Sequence, residues 1–172
     1  MSPLSQSFDE LDWAAFEPKD RATLLFVRQR GKLLLIRKKR GLGAGKINGP
    51  GGRLEPGETY EQAALREIHE ELCITVRAAE EAGRLAFQFV DGYSIYATVF
   101  TATDFEGTPT ETEEAIPLWV DETTLPYSEM WADDYLWMPL MLAGVRFEGR
   151  FLFDGDRMLG YSLTTPGTLA HG

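Results

Sequence analysis

Three glutamates on one predicted helix constrain this chain more than any other feature. Glu67, Glu70 and Glu71 are separated by three and four residues, and a helix places residues at that spacing on one face. Like charges on one helix face repel each other, so the arrangement lowers stability unless a cation neutralises it. The segment therefore predicts a helix whose acidic face lies against something positively charged.

The residues that flank this helix mark where it begins and ends. Thr59, followed three residues later by Gln62, is typical of a capping box at a helix start. The helix is predicted over residues 59–72, with an apolar stripe on the opposite side formed by Leu65, Ile68 and Leu72. This stripe indicates that the helix packs on a core with its glutamates facing away from it.

The acidic face is suited to a divalent cation. Carboxylate oxygens are the hard ligands that Mg²⁺ and Mn²⁺ prefer, with water and substrate phosphates completing the coordination. Arg66 lies four residues before Glu70 and is expected to orient that carboxylate. An acidic face that is simply solvated is the alternative. The glycine-rich loop before the helix, Glu58 and the Arg66-Glu67 pair together favour the cation site.

Length and composition indicate one globular domain. The chain has 172 residues, of which 44% are hydrophobic and 26% are charged. It has no apolar run of about 18 residues and no basic, apolar leader, so we expect neither a membrane span nor a secretory signal. The single cysteine, Cys73, excludes an intramolecular disulfide and is typical of a reducing compartment, which predicts a cytoplasmic protein.

The charge is unevenly distributed along the chain. The net charge is −10, yet residues 21–46 contain nine of the 17 lysines and arginines and no acidic residue. Overall acidity argues against duplex DNA or RNA as a partner. A basic strip at residues 37–40 near a carboxylate-bound cation favours a small polyphosphate; a solvated hairpin end and a nuclear-import signal are the alternatives.

The rest of the chain predicts a mixed sheet flanked by two helices. Strands are predicted over residues 23–27, 32–38, 84–90, 93–101, 116–120, 146–153 and 158–163. A second helix is predicted over 132–143, and the six glycines of 40–52 predict a loop that approaches a ligand closely. We expect three parts, namely an N-terminal extension over 1–20, one domain over 21–164 and a flexible tail over 165–172.

Residues 52–74 resemble the Nudix box, the signature of hydrolases that act on nucleoside diphosphates linked to another group. The family pattern, G-x5-E-x7-R-E-U-x-E-E-x-G-U with U aliphatic, is matched except that Cys73 replaces a glycine. That glycine ends the helix, where a left-handed residue is often needed, so the turn there is in question. We expect Cys73 to be a small buried side chain rather than a nucleophile. The resemblance implies an α/β/α sandwich and a metal-dependent hydrolase.

The resemblance also implies roles for residues of the box. The expected ligands of Mg²⁺, with Mn²⁺ as the alternative, are Glu67, Glu70, Glu71, the carbonyl of Gly51 or Gly52, and Glu114 outside the box. A general base that accepts a proton from the attacking water is expected among Glu70, Glu67 and Glu114. Arg66 and Glu58 are expected to orient the cluster, and Arg53 to contact phosphate.

Segments outside the box are similar to the mammalian enzymes of the MutT branch, which hydrolyse oxidised purine nucleoside triphosphates such as 8-oxo-dGTP. The similarity covers roughly residues 22–163 and includes the stretches 37–52 and 126–140. It implies that the nucleotide pocket is lined by Asn48, Asp133, Asp134, Trp131, Lys38, Thr23, Phe87 and Phe89. Ile47 and Leu42 replace aromatic residues of that branch, which leaves the base preference open.

The adjacent Asp133 and Asp134 suggest how an oxidised base is recognised. Two neighbouring carboxyl groups in an apolar pocket do not both ionise easily, so one is expected to hold a proton near pH 7. The pair then offers one donor and one acceptor, and moving the proton exchanges them, which fits both 8-oxoguanine and 2-oxoadenine. The alternative is that both aspartates only cap the helix that follows.

The resulting hypothesis is hydrolysis of oxidised purine nucleoside triphosphates to monophosphate and pyrophosphate, by a monomer whose partner is a small nucleotide. One alternative is another Nudix substrate, such as a normal dNTP, a diadenosine polyphosphate or ADP-ribose. The other is a nucleotide sensor without catalysis. Sensors of this fold usually lose box glutamates, whereas all of them are present here.

Overall fold

The computed structural model describes residues 7–166, which form a mixed β-sheet and two α-helices. The strands are β1 (Asp20–Gln29), β2 (Lys32–Lys38), β3 (Ile47–Asn48), β4 (Gly51–Arg53), β5 (Glu80–Phe89), β6 (Ser94–Ala102), β7 (Ala115–Asp121), β8 (Phe147–Asp154) and β9 (Arg157–Thr164). The helices are α1 (Tyr60–Leu72) and α2 (Asp134–Leu142). The outer parts of the predicted extension and tail, residues 1–6 and 167–172, lie outside the described residues.

β1 organises the sheet, whose strand order is β3-β2-β1-β6-β5-β8-β9. On one side, β1 pairs in parallel with β6 from Asp20 opposite Ile95 onwards. On its other side it pairs first with β4 and only at its end with β2, which itself pairs with β7. Because β4 lies beside the first half of β1, the glycine-rich loop enters the sheet directly before α1.

Each face of the sheet carries its own core and its own helix. Residues alternate between the two faces along a strand, so Leu25 lies in the core under α1 while Phe26 lies in the core under α2. The α1 core contains Ile68 and Leu72, as predicted, and the α2 core contains Trp137. The α/β/α sandwich expected from the sequence is therefore confirmed.

The start of α1 is formed by the predicted capping box. The Thr59 hydroxyl accepts from the Gln62 amide at 3.1 Å, and the Gln62 side chain accepts from the Thr59 amide at 2.9 Å. Each side chain thus accepts from a backbone amide that has no partner within the helix, and this fixes where the helix begins. The box glutamates are thus held in register with the loop that precedes them.

The glycine-rich loop is more ordered than the sequence indicated. Inside the predicted loop 40–52 the structure has β3 and the start of β4, where Asn48 lies opposite Ile36 and Gly51 lies opposite Leu24. These short strands form by backbone pairing with β2 and β1, and they carry no apolar alternation that would predict them. All the other predicted strands are present, with somewhat different ends.

The described part of the N-terminal extension is compact and docks on the sheet. The ring centroids of Phe8 and Trp13 are 5.4 Å apart, and those of Trp13 and Phe16 are 5.5 Å apart. Phe8 lies on Gly160 of β9, where an added Cβ would come within 2.5 Å of the Phe8 Cβ. Within residues 7–166, no helix has the length and apolar character needed to cross a membrane.

Cys73 ends α1 in the left-handed conformation, with φ 62° and ψ 25°. The turn that the family forms with glycine is therefore kept, and the Cys73 amide donates to the His69 carbonyl at 2.9 Å. The expectation that Cys73 is buried was wrong, because the side chain is exposed. A residue at this helix end leaves the apolar stripe of α1, so its side chain does not enter the core.

Replacing Cys73 with glycine is expected to stabilise the protein. A side chain with a Cβ is strained at positive φ, so Cys73→Gly should raise the free energy of unfolding by about 1 kcal/mol. For a chain of this length that corresponds to a rise in Tm of about 2–4 °C, measurable by calorimetry. Cys73→Ala is the control, since it removes the thiol but keeps the Cβ; an equal gain from both variants would show that φ is not the cause.

Candidate active site

A cavity of about 710 Å³ contains the residues that the sequence assigned to a site. At one end it is lined by the predicted metal ligands, Gly51, Gly52, Glu67, Glu70, Glu71 and Glu114. It is also lined by the predicted nucleotide contacts, Thr23, Lys38, Asn48, Arg53, Phe87, Phe89, Trp131, Asp133 and Asp134. Arg66 and Glu58 are absent from this lining, and Arg66 reaches it through hydrogen bonds to Glu67 and Glu70.

Arg66 links the loop to the helix. Its guanidinium donates twice to Glu58, at 2.6 and 2.8 Å, in a bidentate pair that lowers the pKa of Glu58 to about 2. The third nitrogen, Nη1, donates to Glu67 at 2.7 Å and to Glu70 at 3.2 Å. Nη2, which is one of the two nitrogens bonded to Glu58, also donates to the Arg53 carbonyl at 3.0 Å. One cation therefore fixes two box glutamates relative to the glycine-rich segment.

Glu71 and Glu67 are carboxylates in partly dry surroundings. Burial raises the pKa of Glu71 to about 8, although the Gly51 amide donates to its carboxylate at 2.8 Å and opposes the shift. Burial likewise raises the pKa of Glu67, against the opposing hydrogen bond from Arg66. Both groups resist ionisation because low-dielectric surroundings disfavour charge. A cation in the cavity would relieve this for both.

The two glycines of β4 are required by close packing rather than by backbone flexibility. A Cβ on Gly51 would lie 1.9 Å from the Thr23 carbonyl oxygen of β1. A Cβ on Gly52 would lie 2.4 Å from the carboxyl carbon of Glu67. The backbone thus approaches the carboxylates closely enough for a carbonyl to join them as an oxygen ligand.

Glu114 reaches the same end of the cavity from the acidic loop before β7. Its carboxylate accepts from Arg40 at 2.6 Å, within the basic strip 37–40. The loop is tied to α1, since the Thr112 hydroxyl donates to the Glu71 carbonyl at 2.7 Å and accepts from the Glu114 amide at 3.2 Å. Lys38 and Arg40 of the strip both line the cavity, so basic and acidic side chains face one space.

The donor set of this end suits a divalent cation. Within residues 7–166, no three Asp, Glu, His or Cys side chains are gathered closely enough to hold a metal ion by themselves. The carboxylates repel one another, while Arg66 and the Gly51 amide hold Glu67 and Glu71 in hydrogen bonds. All the available ligands are oxygens, the type that Mg²⁺ and Mn²⁺ prefer, and their charge calls for a cation.

A buried pair of aspartates lies at the base of α2. Asp133 and Asp134 are almost fully enclosed, with exposed fractions of 1% and 8%. One Asp133 oxygen accepts from the Trp137 indole at 2.7 Å, while its other oxygen, Oδ1, is buried and within residues 7–166 has no hydrogen-bond partner other than the neighbouring Asp134 carboxyl group. A buried acceptor with so few donors costs stability, so a ligand that donates to it would be stabilised.

Burial raises the pKa of both aspartates, and the charge of Asp133 raises that of Asp134 further. The pair therefore favours a shared proton over two negative charges. Asp133 stands at the cap position of α2, but its side chain makes no capping hydrogen bond. Its carboxylate faces the cavity and Trp137 instead.

Trp131 is held beside these aspartates by aromatic and cationic contacts. Its ring meets Phe153 edge-on at 5.6 Å and Phe89 edge-on at 6.2 Å. The Lys46 ammonium lies 5.4 Å from the indole centroid and pairs with Asp156 at 3.2 Å. These contacts fix the plane of the indole at the cavity wall.

The sequence did not identify every residue of the cavity. Trp137 was given no role from the sequence, although its spacing of four residues from Asp133 on a predicted helix could have indicated the hydrogen bond. Tyr93 of the cavity lining and Lys46, which contacts Trp131 from outside that lining, come from separate loops, and no local pattern connects them to Trp131 or Phe89. Asn48 lines the cavity as predicted, and its side-chain nitrogen donates to the Lys46 carbonyl at 3.3 Å.

Comparison with known proteins gives the same family as the sequence resemblance. The family model of the NUDIX domain matches residues 18–141. An oxidized purine nucleoside triphosphate hydrolase from Danio rerio is 48% identical over 138 residues, 80% of this chain and 88% of the relative. The relative of that name from Mus musculus is 42% identical over 143 residues, 82% and 92% of the two chains. A MutT protein structure from Bacillus halodurans covers 84% of this chain and 97% of its own, with a TM-score of 0.74 and 26% identity.

The range matched by the family model contains the whole lining of the cavity. Hydrolases of this family generally need divalent metal ions, which agrees with an acidic, all-oxygen end beside Arg66. The family and the fold implied by the sequence resemblance are both confirmed. This chain belongs to the Nudix hydrolase family.

Proposed function

We propose that the chain hydrolyses oxidised purine nucleoside triphosphates, of the 8-oxo-dGTP and 2-oxo-dATP type, to the monophosphate and pyrophosphate. One observation carries this assignment: the buried Asp133-Asp134 pair lines the same cavity as the carboxylates of α1. Two relatives that are named for this activity match most of the chain. A cavity with an acidic end for a metal polyphosphate and a carboxyl pair for a base edge fits such a substrate.

At the acidic end, Glu67, Glu70, Glu71 and Glu114, with a carbonyl of Gly51 or Gly52, would hold Mg²⁺ or Mn²⁺. The bound metal neutralises phosphate charge and lowers the pKa of the attacking water. Lys38 and Arg53 line the cavity and are suited to contact phosphate oxygens. The protein's work at this end is positioning and charge stabilisation, as for phosphoryl-transfer sites in general.

Glu70 is the best candidate for the general base. Its side chain is about half exposed, at 53%, and only one hydrogen bond of 3.2 Å from Arg66 restrains it. Glu67 is held more tightly, at 2.7 Å, and Glu71 is buried against the Gly51 amide. A carboxylate with a free oxygen beside the cation can accept a proton from water, so Glu67 and Glu114 rank behind Glu70.

At the other end, the aspartate pair and Asn48 would bond the purine edge while Trp131 stacks on the base. Oxidation at C8 or C2 changes which edge atoms donate and which accept. A pair that shares one proton can present either pattern, which would allow both oxidised purines. Thr23, Phe87 and Phe89 complete the walls around the base.

The remaining expectations concern the whole chain. The protein would act as a monomer in a reducing, cytoplasmic compartment, with a small nucleotide rather than duplex nucleic acid as its partner. The net charge of −10 and the single cysteine support this proposal. The catalytic domain would span residues 21–164, preceded by the extension over 1–20, whose last residue begins β1, and followed by the tail.

The direct test is pyrophosphate release at low substrate with Mg²⁺, comparing 8-oxo-dGTP, 2-oxo-dATP and dGTP. The proposal predicts that kcat/KM for both oxidised nucleotides exceeds that for dGTP by about tenfold or more, since one or two base-edge hydrogen bonds differ. Equal rates with all three would leave a Nudix hydrolase of another substrate. Nucleotide-dependent thermal stabilisation without product would indicate a sensor.

Replacing Glu70 with glutamine is expected to remove the general base. Glu70→Gln should lower kcat by about a hundredfold or more, with little change in Tm because the side chain is half exposed. The matched control is Glu61→Gln, an exposed glutamate at the other end of α1, which should keep full activity. Activity near that of the wild type in folded Glu70→Gln would pass the role to Glu67 or Glu114.

Replacing Asp134 with asparagine should fix the hydrogen-bond pattern of the pair. Because an amide cannot exchange its donor and acceptor by moving a proton, the ratio of kcat/KM for 8-oxo-dGTP and 2-oxo-dATP should change by about tenfold or more.

The pH dependence should change too. The pair in the wild type loses its shared proton as pH rises through its raised pKa, so activity on oxidised purines should fall there. In Asp134→Asn this decline should be absent. Asp104→Asn, at an exposed site, is the control; an unchanged ratio and pH profile in Asp134→Asn would exclude the pair from base recognition.

A further inference from the structure

Tyr93 lines the nucleotide cavity but has no role in the assignments above. It follows the Asp91-Gly92 turn between β5 and β6, and its ring centroid lies 5.8 Å from that of Phe89. Phe89 in turn meets Trp131, the proposed stacking residue, edge-on at 6.2 Å. Tyr93 therefore extends the aromatic wall on which the base would lie.

Asp20 fixes the phenol of Tyr93. The Tyr93 hydroxyl donates to Asp20 Oδ2 at 2.8 Å, and the same oxygen pairs with the Arg53 guanidinium at 3.4 Å. Burial, together with this hydrogen bond, raises the pKa of Tyr93 to about 12, so the phenol stays a donor at any working pH. The contact orients the ring, because a phenol with a bonded hydroxyl cannot swing freely about χ1.

The backbone holds Asp20 and Tyr93 together. The Lys19 amide donates to the Ser94 carbonyl at 3.1 Å and to the Ser94 hydroxyl at 3.0 Å. That hydroxyl donates to the Glu17 carbonyl at 3.3 Å. The chain entering β1 is thus attached to the residue that follows Tyr93, and the geometry of Asp20 and Tyr93 does not depend on one hydrogen bond.

The position of Tyr93 indicates which part of a nucleotide it meets. On one side its contacts lead through Phe89 to Trp131; on the other they lead through Asp20 to Arg53, which directly follows the close-packed Gly52 at the carboxylate end. We propose that Tyr93 contacts the nucleoside part of the substrate and that Asp20 is the positioning residue that holds its ring. This inference rests on the proposed function only in taking the ligand to be a nucleotide.

The test separates binding from stability and from chemistry. Tyr93→Ala should raise KM for 8-oxo-dGTP by roughly three- to tenfold, the size of one aromatic contact, with kcat within about twofold. It should weaken binding of the product 8-oxo-dGMP by the same factor, since both ligands carry the same nucleoside. Arg53→Ala, at the proposed phosphate contact, should weaken the triphosphate more than the monophosphate. Tyr93→Leu keeps apolar bulk and repeats the test if the alanine variant does not fold.

Variants of Asp20 test the positioning role. Asp20→Ala should raise KM by roughly two- to fivefold, the effect of losing one hydrogen bond. Asp20→Asn should restore KM, because the amide oxygen also accepts from the phenol; the ion pair that it loses involves an Arg53 side chain that is 71% exposed. In a Tyr93→Phe background, Asp20→Ala should have no further effect on KM.

The control is Tyr161→Ala, which removes another tyrosine stacked on a phenylalanine, Phe151, but outside the cavity lining. It should lower Tm without changing KM. If Tyr93→Ala and Tyr93→Leu behave in the same way as this control, Tyr93 serves only stability and the proposal is overturned. If the wild type cleaves dGTP as well as 8-oxo-dGTP, the proposed substrate fails, and the Tyr93 comparison is made with dGTP and dGMP.

Discussion

The bonds made by the Arg66 guanidinium are the interaction on which the rest of the site depends. They connect Glu58 in the loop, two glutamates on α1 and the backbone of Arg53 in β4. Without the Arg66 guanidinium, the glutamates on the acidic face of α1 would repel one another, and the helix would lose its register with the glycine-rich strand β4. Because β4 pairs with β1, the central strand of the sheet, Arg66 also links the acidic face of α1 to the core. The Arg66 hydrogen bonds therefore contribute both to the fold and to the geometry of the site.

The two ends of the cavity present the same physical problem with two different solutions. In each, carboxyl groups are buried where ionisation is unfavourable, so their pKa values are raised. At the α1 end, the negative charge of the glutamates would be neutralised by a divalent cation, and a polyphosphate substrate binds such a cation. At the α2 end, a proton shared between the two adjacent aspartates lowers the cost of their burial. A metal-bound nucleotide with an unusual base edge meets both needs, and this links the two ends in one proposed function.

Local patterns in the sequence predicted the parts of this structure that are local. The capping box, the helix it starts and the apolar stripe of Ile68 and Leu72 are set by residues a few positions apart. Strands β3 and β4 were not predicted, because glycine backbone pairs with β1 and β2 without a side-chain pattern. Exposure of Cys73 depends on where the end of α1 faces in three dimensions. The bond between Asp133 and Trp137 is local, with a spacing of four residues, and could have been predicted. The grouping of the site residues in one cavity was implied by family resemblance and not by any spacing.

The most direct measurement is a crystal structure with the product 8-oxo-dGMP bound. We expect the oxidised base to lie against the Trp131 indole, with its edge within hydrogen-bond distance of both Asp133 and Asp134. The buried Asp133 Oδ1 should gain a hydrogen-bond donor from the base. The phosphate should point towards Glu67 and the other carboxylates of α1. A base bound elsewhere, with the aspartate pair bonded only to the protein, would contradict the account.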